Sequence, residues 1–121
     1  MSLTANYYLK KEFLFIRLKG ELDQETCGAM RSKIKELMET HQVKNLVFNM
    51  QDLSFMDSSG IGLIIGRYNQ IKRKGGKVIL CSLNKYIEKI VLLTGLPRIC
   101  LLKQNEEEAY EYLEPTITKS S

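Results

Sequence analysis

Apolar residues along this chain fall into two rhythms, one of strands and one of helices, and the rhythm switches several times. The stretch "YYLKKEFLFIRLKGEL", Tyr7 to Leu22, predicts two short strands with a polar break at Lys10–Glu12. In the second, Phe13, Phe15 and Leu18 stand among Leu14 and Ile16, the pattern of a strand covered on both faces. Cys27, Met30, Ile34, Leu37 and Met38 then recur at helical spacing, with Asp23 as the N-cap. "NLVFNM", Asn45 to Met50, predicts a third strand. "SGIGLIIGRYNQIKRK", Ser59 to Lys74, predicts a second helix with Ile61, Ile64, Ile65, Tyr68 and Ile71 on its apolar face. "KVILCSL" reads as a buried strand, and "NKYIEKIVLLTG" as a helix opened by Asn84 and closed by Gly95. "RICLL", Arg98 to Leu102, is the last predicted strand. A helix follows in "NEEEAYEYL", capped by Asn105, with Glu106 to Glu108 in its electropositive first turn.

A β-rich opening followed by alternating helix and strand places the chain in the α/β class. The βαβ units imply right-handed crossovers and a mostly parallel sheet, and the two opening strands are close enough to pair antiparallel. The expectation is one mixed sheet of about five strands packed with about four helices. A single domain spans residues 1–115, and residues 116–121 form a loose tail.

Composition narrows the function classes. A chain of 121 residues with 44% hydrophobic positions buries a core without disulfides or metal. No apolar run approaches the roughly 18 residues that span a bilayer, and "MSLTANYYLKK" lacks the basic-then-apolar order of a secretory signal, so no membrane is expected as a partner. Cys27, Cys81 and Cys100 are odd in number and lie among apolar neighbours, as reduced core thiols of a cytoplasmic protein do. The net charge of +4 is mild. Its densest patch, "KRKGGK" (Lys72 to Lys77), is explained by a helix C-terminus, where cations are favoured and Gly75 or Gly76 takes a left-handed cap. Nucleic acid is therefore not expected as a partner.

The chemistry concentrates in "MDSSGIG", Met56 to Gly62, just past the third strand and at the start of the second helix. Ligands and reactions collect at that edge of open α/β sheets. Asp57, Ser58 or Ser59 can each cap the unsatisfied N–H groups there, yet one cap needs one side chain. The glycines also require a reason, because glycine in a helix costs about 1 kcal/mol against alanine. On a helical wheel Ser59, Gly62, Gly66 and Asn69 form a small polar stripe that lets another surface approach the backbone. That surface is either a neighbouring element or a partner protein. Leu63 and Arg67 are expected to point away from the apolar face, as part of a docking patch.

Catalytic arrangements are poorly supplied. The one histidine, His41, sits at the end of the first helix in "ETHQVK". The G-x-S-x-G elbow and the phosphate-loop spacing are both absent, no Cys/His cluster has metal spacing, and Asp52 with Asp57 is a thin acidic pair. No catalytic residue, metal or cofactor is expected. A hydroxyl at a helix N-terminus is better suited to be a substrate. Phosphorylation of Ser58 would add about −1.5 to −2 charges at a place the helix tolerates, while Asp57 and an acidic or tightly packed partner would oppose it. Docking is then switched by local electrostatics without unfolding.

The residues "GELD" (Gly20 to Asp23), "DLSFMDSSGIGLIIGRY" (Asp52 to Tyr68), "GGKVILCSLN" and "LLTGLPRI" resemble the STAS domains of bacterial anti-sigma factor antagonists, most of all those of the sporulation sigma F branch. The likeness runs from about Leu9 to Leu113, and D-S-S-G-x-G after "LSFM" is its most specific part. The resemblance implies a protein that binds an anti-sigma factor serine kinase in its ATP- or ADP-bound state and so releases the sigma factor. It implies phosphorylation of Ser58 by that kinase and reactivation by a metal-dependent serine phosphatase of the PP2C type. It places Asp23, Asp57, Ser58, Ser59 and Gly60 at the docking surface, to which the helical stripe adds Gly62, Leu63, Gly66 and Arg67. The ATP site belongs to the kinase, so no cofactor follows for this chain. Two other readings remain beside it: an antagonist in a different pathway such as a stress response, and a phosphocarrier that passes a phosphoryl group on from Ser58. Direct DNA binding ranks below both.

Overall fold

The computed structural model describes residues 2–114. The predicted tail, residues 116–121, lies outside them. The elements run β1 (Leu3–Lys10), β2 (Phe13–Leu22), α1 (Gln24–Thr40), β3 (Asn45–Met56), α2 (Ser58–Arg73), β4 (Val78–Cys81), α3 (Lys85–Leu92), α4 (Leu96–Ile99), β5 (Leu101–Lys103) and α5 (Glu106–Leu113). The five strands form one sheet in the order β1-β2-β3-β4-β5. β1 and β2 pair antiparallel around Lys10↔Phe13, and the remaining neighbours are parallel. The mixed α/β architecture is the one the alternation of periods predicts.

Two cores flank the sheet. Alternate residues of β2, β3 and β4 (Leu14, Ile16, Leu46, Phe48, Val78, Leu80) face Cys27, Met30 and Ile34 of α1, Leu63, Ile64 and Ile71 of α2, and Ile87 and Val91 of α3. The intervening residues Phe13, Phe15, Val47, Ile79 and Cys81 face the other way, onto Ala109, Tyr110 and Leu113 of α5. β2 is thus covered on both sides at Phe13–Ile16, where the sequence carries four large apolar residues in a row.

Two predicted boundaries shift. β3 continues to Met56 rather than stopping at Met50. Its last third pairs with β2 through Leu53 and Met56, after bulges in β2 at Arg17/Lys19 and Gly20/Glu21, and Gly20 takes φ 110 in the second. β4 pairs with β3 only at Leu46–Asn49. Beyond that, the Asn84 side-chain amide donates to the carbonyls of Met50 (3.2 Å), Gln51 (3.1 Å) and Leu53 (2.8 Å). A side chain thus takes over the free carbonyls of β3 where its neighbouring strand has ended. The predicted "RICLL" strand begins late. Pro97 supplies a helical φ and lacks an N–H, which suits the first turn of α4, so Arg98 and Ile99 are helical and β5 is confined to Leu101–Lys103.

Candidate functional site: two helix starts on one rim

β2 and β3 end in register, Leu22 opposite Met56. The next residue of each strand is an aspartate, and each caps the helix that follows. The Asp57 N–H donates to the Leu22 carbonyl (3.3 Å), which ties the two exits together. Asp23 Oδ1 accepts from the N–H groups of Glu25 and Thr26 (both 3.0 Å), and Thr26 Oγ1 accepts from the Asp23 N–H (2.9 Å), closing a capping box. Asp57 Oδ1 accepts from Ser59 (2.9 Å) and Gly60 (3.3 Å). The N-termini of α1 and α2 therefore open side by side on one rim, each already satisfied by its own carboxylate.

The structure brings the predicted site residues to this rim, with one correction. Ser58, the first residue of α2, is exposed and, among the described residues, its hydroxyl makes no hydrogen bond. Asp57 and Ser59 are half-buried, and Asp23 is buried at 8% exposure, its carboxylate taken up by the cap of α1. Gly60 is buried because α2 starts hard against β2. A Cβ there would sit 2.9 Å from the Leu22 carbonyl oxygen and 2.7 Å from Met56 Cγ. Gly62 and Gly66 differ: a Cβ at either meets nothing within 4 Å. Close packing inside the domain thus does not explain them, and of the two surfaces considered for the stripe only a partner protein is left.

Leu63 is the correction. It was expected to point outward, but it is buried at 1% exposure, whereas Ile65 is 39% exposed. The contact of Gly60 with Leu22 and Met56 fixes the rotation of α2, so positions 60, 63, 64 and 71 face the core. The outward stripe is Ser58, Gly62, Ile65 and Asn69, and Ile65 replaces Leu63 as its apolar member. The signal was present in the sequence as steps of four and three from Ser58, but the chain of isoleucines masked it. Arg67 is half-buried, its Nε donating to Gln70 Oε1 (2.7 Å). His41, the exposed C-cap of α1, lies at the opposite end of that helix from Asp23.

Electrostatics agree with the closeness of the two aspartates. Burial pushes the Cys27 thiol up, Arg31 works against this, and the carboxylates of Asp57 and Asp23 add to it. Among the described residues neither aspartate has an ion-pair partner. The rim is therefore acidic, small and capped, with one free hydroxyl at its crest.

Residues 4–109 match the STAS domain family. The chain belongs to that family. This STAS domain is 38% identical over 114 residues to the anti-sigma F factor antagonist of Paenibacillus polymyxa, which covers 94% of this chain and 97% of the relative. It is 34% identical over 101 residues to the anti-sigma F factor antagonist of Lysinibacillus sphaericus, covering 84% and 86%. Among solved structures it resembles the Bacillus cell fate determinant SpoIIAA in the phosphorylated form, with TM-score 0.73 and 31% identity over 92% of this chain and 100% of that one. The unphosphorylated form of SpoIIAA superposes with the same TM-score of 0.73, at 28% identity.

Proposed function

We propose that this STAS domain is an anti-sigma factor antagonist that docks its α2 rim on an anti-sigma factor serine kinase and is inactivated by phosphorylation of Ser58. The observation that carries this is the division of roles at the rim: Asp57 holds the helix cap, so the exposed Ser58 hydroxyl is left without a structural task. The likeness to a protein solved in both phosphorylated and unphosphorylated forms supports it. So does the pair Gly62 and Gly66, which open a stripe that the domain itself does not fill.

The physics of the switch follows from the acidic rim. A phosphate on Ser58 brings about −1.5 to −2 charges and three acceptor oxygens beside Asp57 and Asp23. The helix dipole accepts that group locally, so the fold persists. A partner surface shaped for a hydroxyl between two carboxylates meets repulsion and a steric excess instead. In this reading the chain is the substrate of phosphoryl transfer, a PP2C-type phosphatase removes the ester, and the cycle runs in the cytoplasm. Sigma F is the favoured pathway, since the anti-sigma-B factor antagonist of Bacillus subtilis reaches only 26% identity over 107 residues. Partner exchange in a pull-down with the two anti-sigma factors discriminates between the pathways.

The test is direct. The protein is incubated with a purified sporulation anti-sigma factor kinase and Mg-ATP, and intact mass and phosphopeptide mapping are recorded. One added phosphate on Ser58 is expected, with loss of the complex. No phosphate, together with no complex in the presence of ADP, overturns the assignment of the partner.

A further inference from the structure

The facing flanks of α1 and α2 carry a second feature below the rim. α1 contributes Arg31 and Lys35, one turn apart, and α2 contributes Arg67, Arg73 and Lys74 at its seam with Gln70. Lys35, Met38, Glu39, Gln70, Arg73 and Lys74 line an interhelical groove of about 280 Å³, and Glu39 is the one carboxylate in that lining. Among the described residues the ion pairs are Lys11–Glu114, Arg17–Glu106 and Lys33–Glu36, so none of the five seam cations is neutralised. Lys74 Nζ reaches only a backbone carbonyl, that of Val43 (3.2 Å).

Arg67 is the most exacting of them. Its Nη1 is buried and has no hydrogen-bond partner. A buried donor on a cation without an acceptor is a destabilising arrangement unless something supplies the acceptor. Burial first, and then the positive charge of Arg31, push the Arg67 guanidinium below its ordinary value. Two arginines that depress one another, with an orphan donor between helices, fit an anion. The groove is short and walled by two helices, which suits single carboxylates rather than a duplex.

We propose that this seam, Arg31, Lys35 and Arg67 with Arg73 and Lys74, receives an acidic segment of the anti-sigma factor and extends the docking surface from the Ser58 rim down α2. The proposal rests on the antagonist reading above. Charge complementarity and continuity with the Ser58 stripe on the same helix choose the occupant. Carboxylates of the partner would accept from Arg67 Nη1 and neutralise Arg31, contributing steering and register as well as affinity.

The experiment uses the exposed pair first. R31E/K35E changes two solvent-facing positions and leaves the caps and cores alone. Affinity for the ADP-bound anti-sigma factor is titrated at several salt concentrations for wild type, R31E/K35E, R67Q and S58D. Wild-type affinity is expected to fall with salt, and R31E/K35E to bind at least about tenfold more weakly with a flatter salt dependence. R67Q, which keeps the length of the polar side chain, is expected to lose part of this while circular dichroism stays unchanged. R31E/K35E binding as wild type at low salt, while S58D fails to bind, overturns the seam and leaves the antagonist reading standing. S58D binding as wild type overturns both. Loss of retention on a DNA duplex by R31E/K35E, with unchanged binding to the anti-sigma factor, also overturns the seam.

Discussion

Asp57 and Ser58 are adjacent, polar and similar in size, yet they serve different masters. Asp57 serves the fold through two N–H acceptors, and its loss in Asp57→Ala should cost about 1 kcal/mol of stability, read as a lower urea midpoint. Ser58 serves the surface. Ser58→Asp should keep the wild-type melting temperature and lose the anti-sigma factor, while Ser58→Ala should bind and resist inactivation by Mg-ATP. The glycines separate in the same way. Gly60→Ala drives a methyl toward the Leu22 carbonyl at 2.9 Å, and a loss of about 1–3 kcal/mol is expected. Gly62→Ala meets nothing within 4 Å, so its stability should hold or rise by up to about 1 kcal/mol while affinity for the partner falls. Thermal melts and binding titrations on the pair check both. Caps and motif were legible because side-chain chemistry at a helix start is local. The inward turn of Leu63 was not, because the rotation of α2 is set by a contact with β2, distant in sequence.

Among the elements, α5 is held by a polar clamp as well as by its apolar face. Arg17 donates from Nε and Nη2 to the two carboxylate oxygens of Glu106 (both 2.9 Å), and Asn49 Nδ2 adds a third bond (2.8 Å). Hydrogen bonding from Arg17, ahead of the opposing effect of burial, holds the Glu106 carboxyl below its ordinary value of 4.5. A carboxyl lowered in the folded state stabilises fully above the unfolded value, and the contribution fades as pH falls through the lowered one. Unfolding free energy should therefore decline below about pH 4.5 in wild type, and less steeply in Glu106→Gln, as urea titrations across that range would show. Element order and type were legible from the alternation of periods. The reach of β3 to Met56 was not, since the Asn84 amide that covers its carbonyls comes from a loop more than thirty residues later. The helical turn of α4 escaped for a different reason: four residues are too few to show a period.

At the scale of the whole molecule, the sheet separates a large core, under α1 to α4, from a small one under α5. The three thiols are free and buried, and burial pushes Cys81 to about 11 and Cys100 to about 12. Native protein should resist iodoacetamide near neutral pH, and all three thiols should label only on unfolding, as mass spectrometry would record. Among the described residues no helix is long and apolar enough to cross a membrane. The mixed sheet was readable from the sequence because each crossover restricts the next, whereas the seam between α1 and α2 was not, since it depends on which flanks of two helices meet. The position of the Asp57 cap has one more consequence. A hydroxyl that the fold does not use is a place where information can be written and erased with no refolding in between. Two such forms would share one architecture and one lifetime, and only a protein that touches the rim could tell which message it carries.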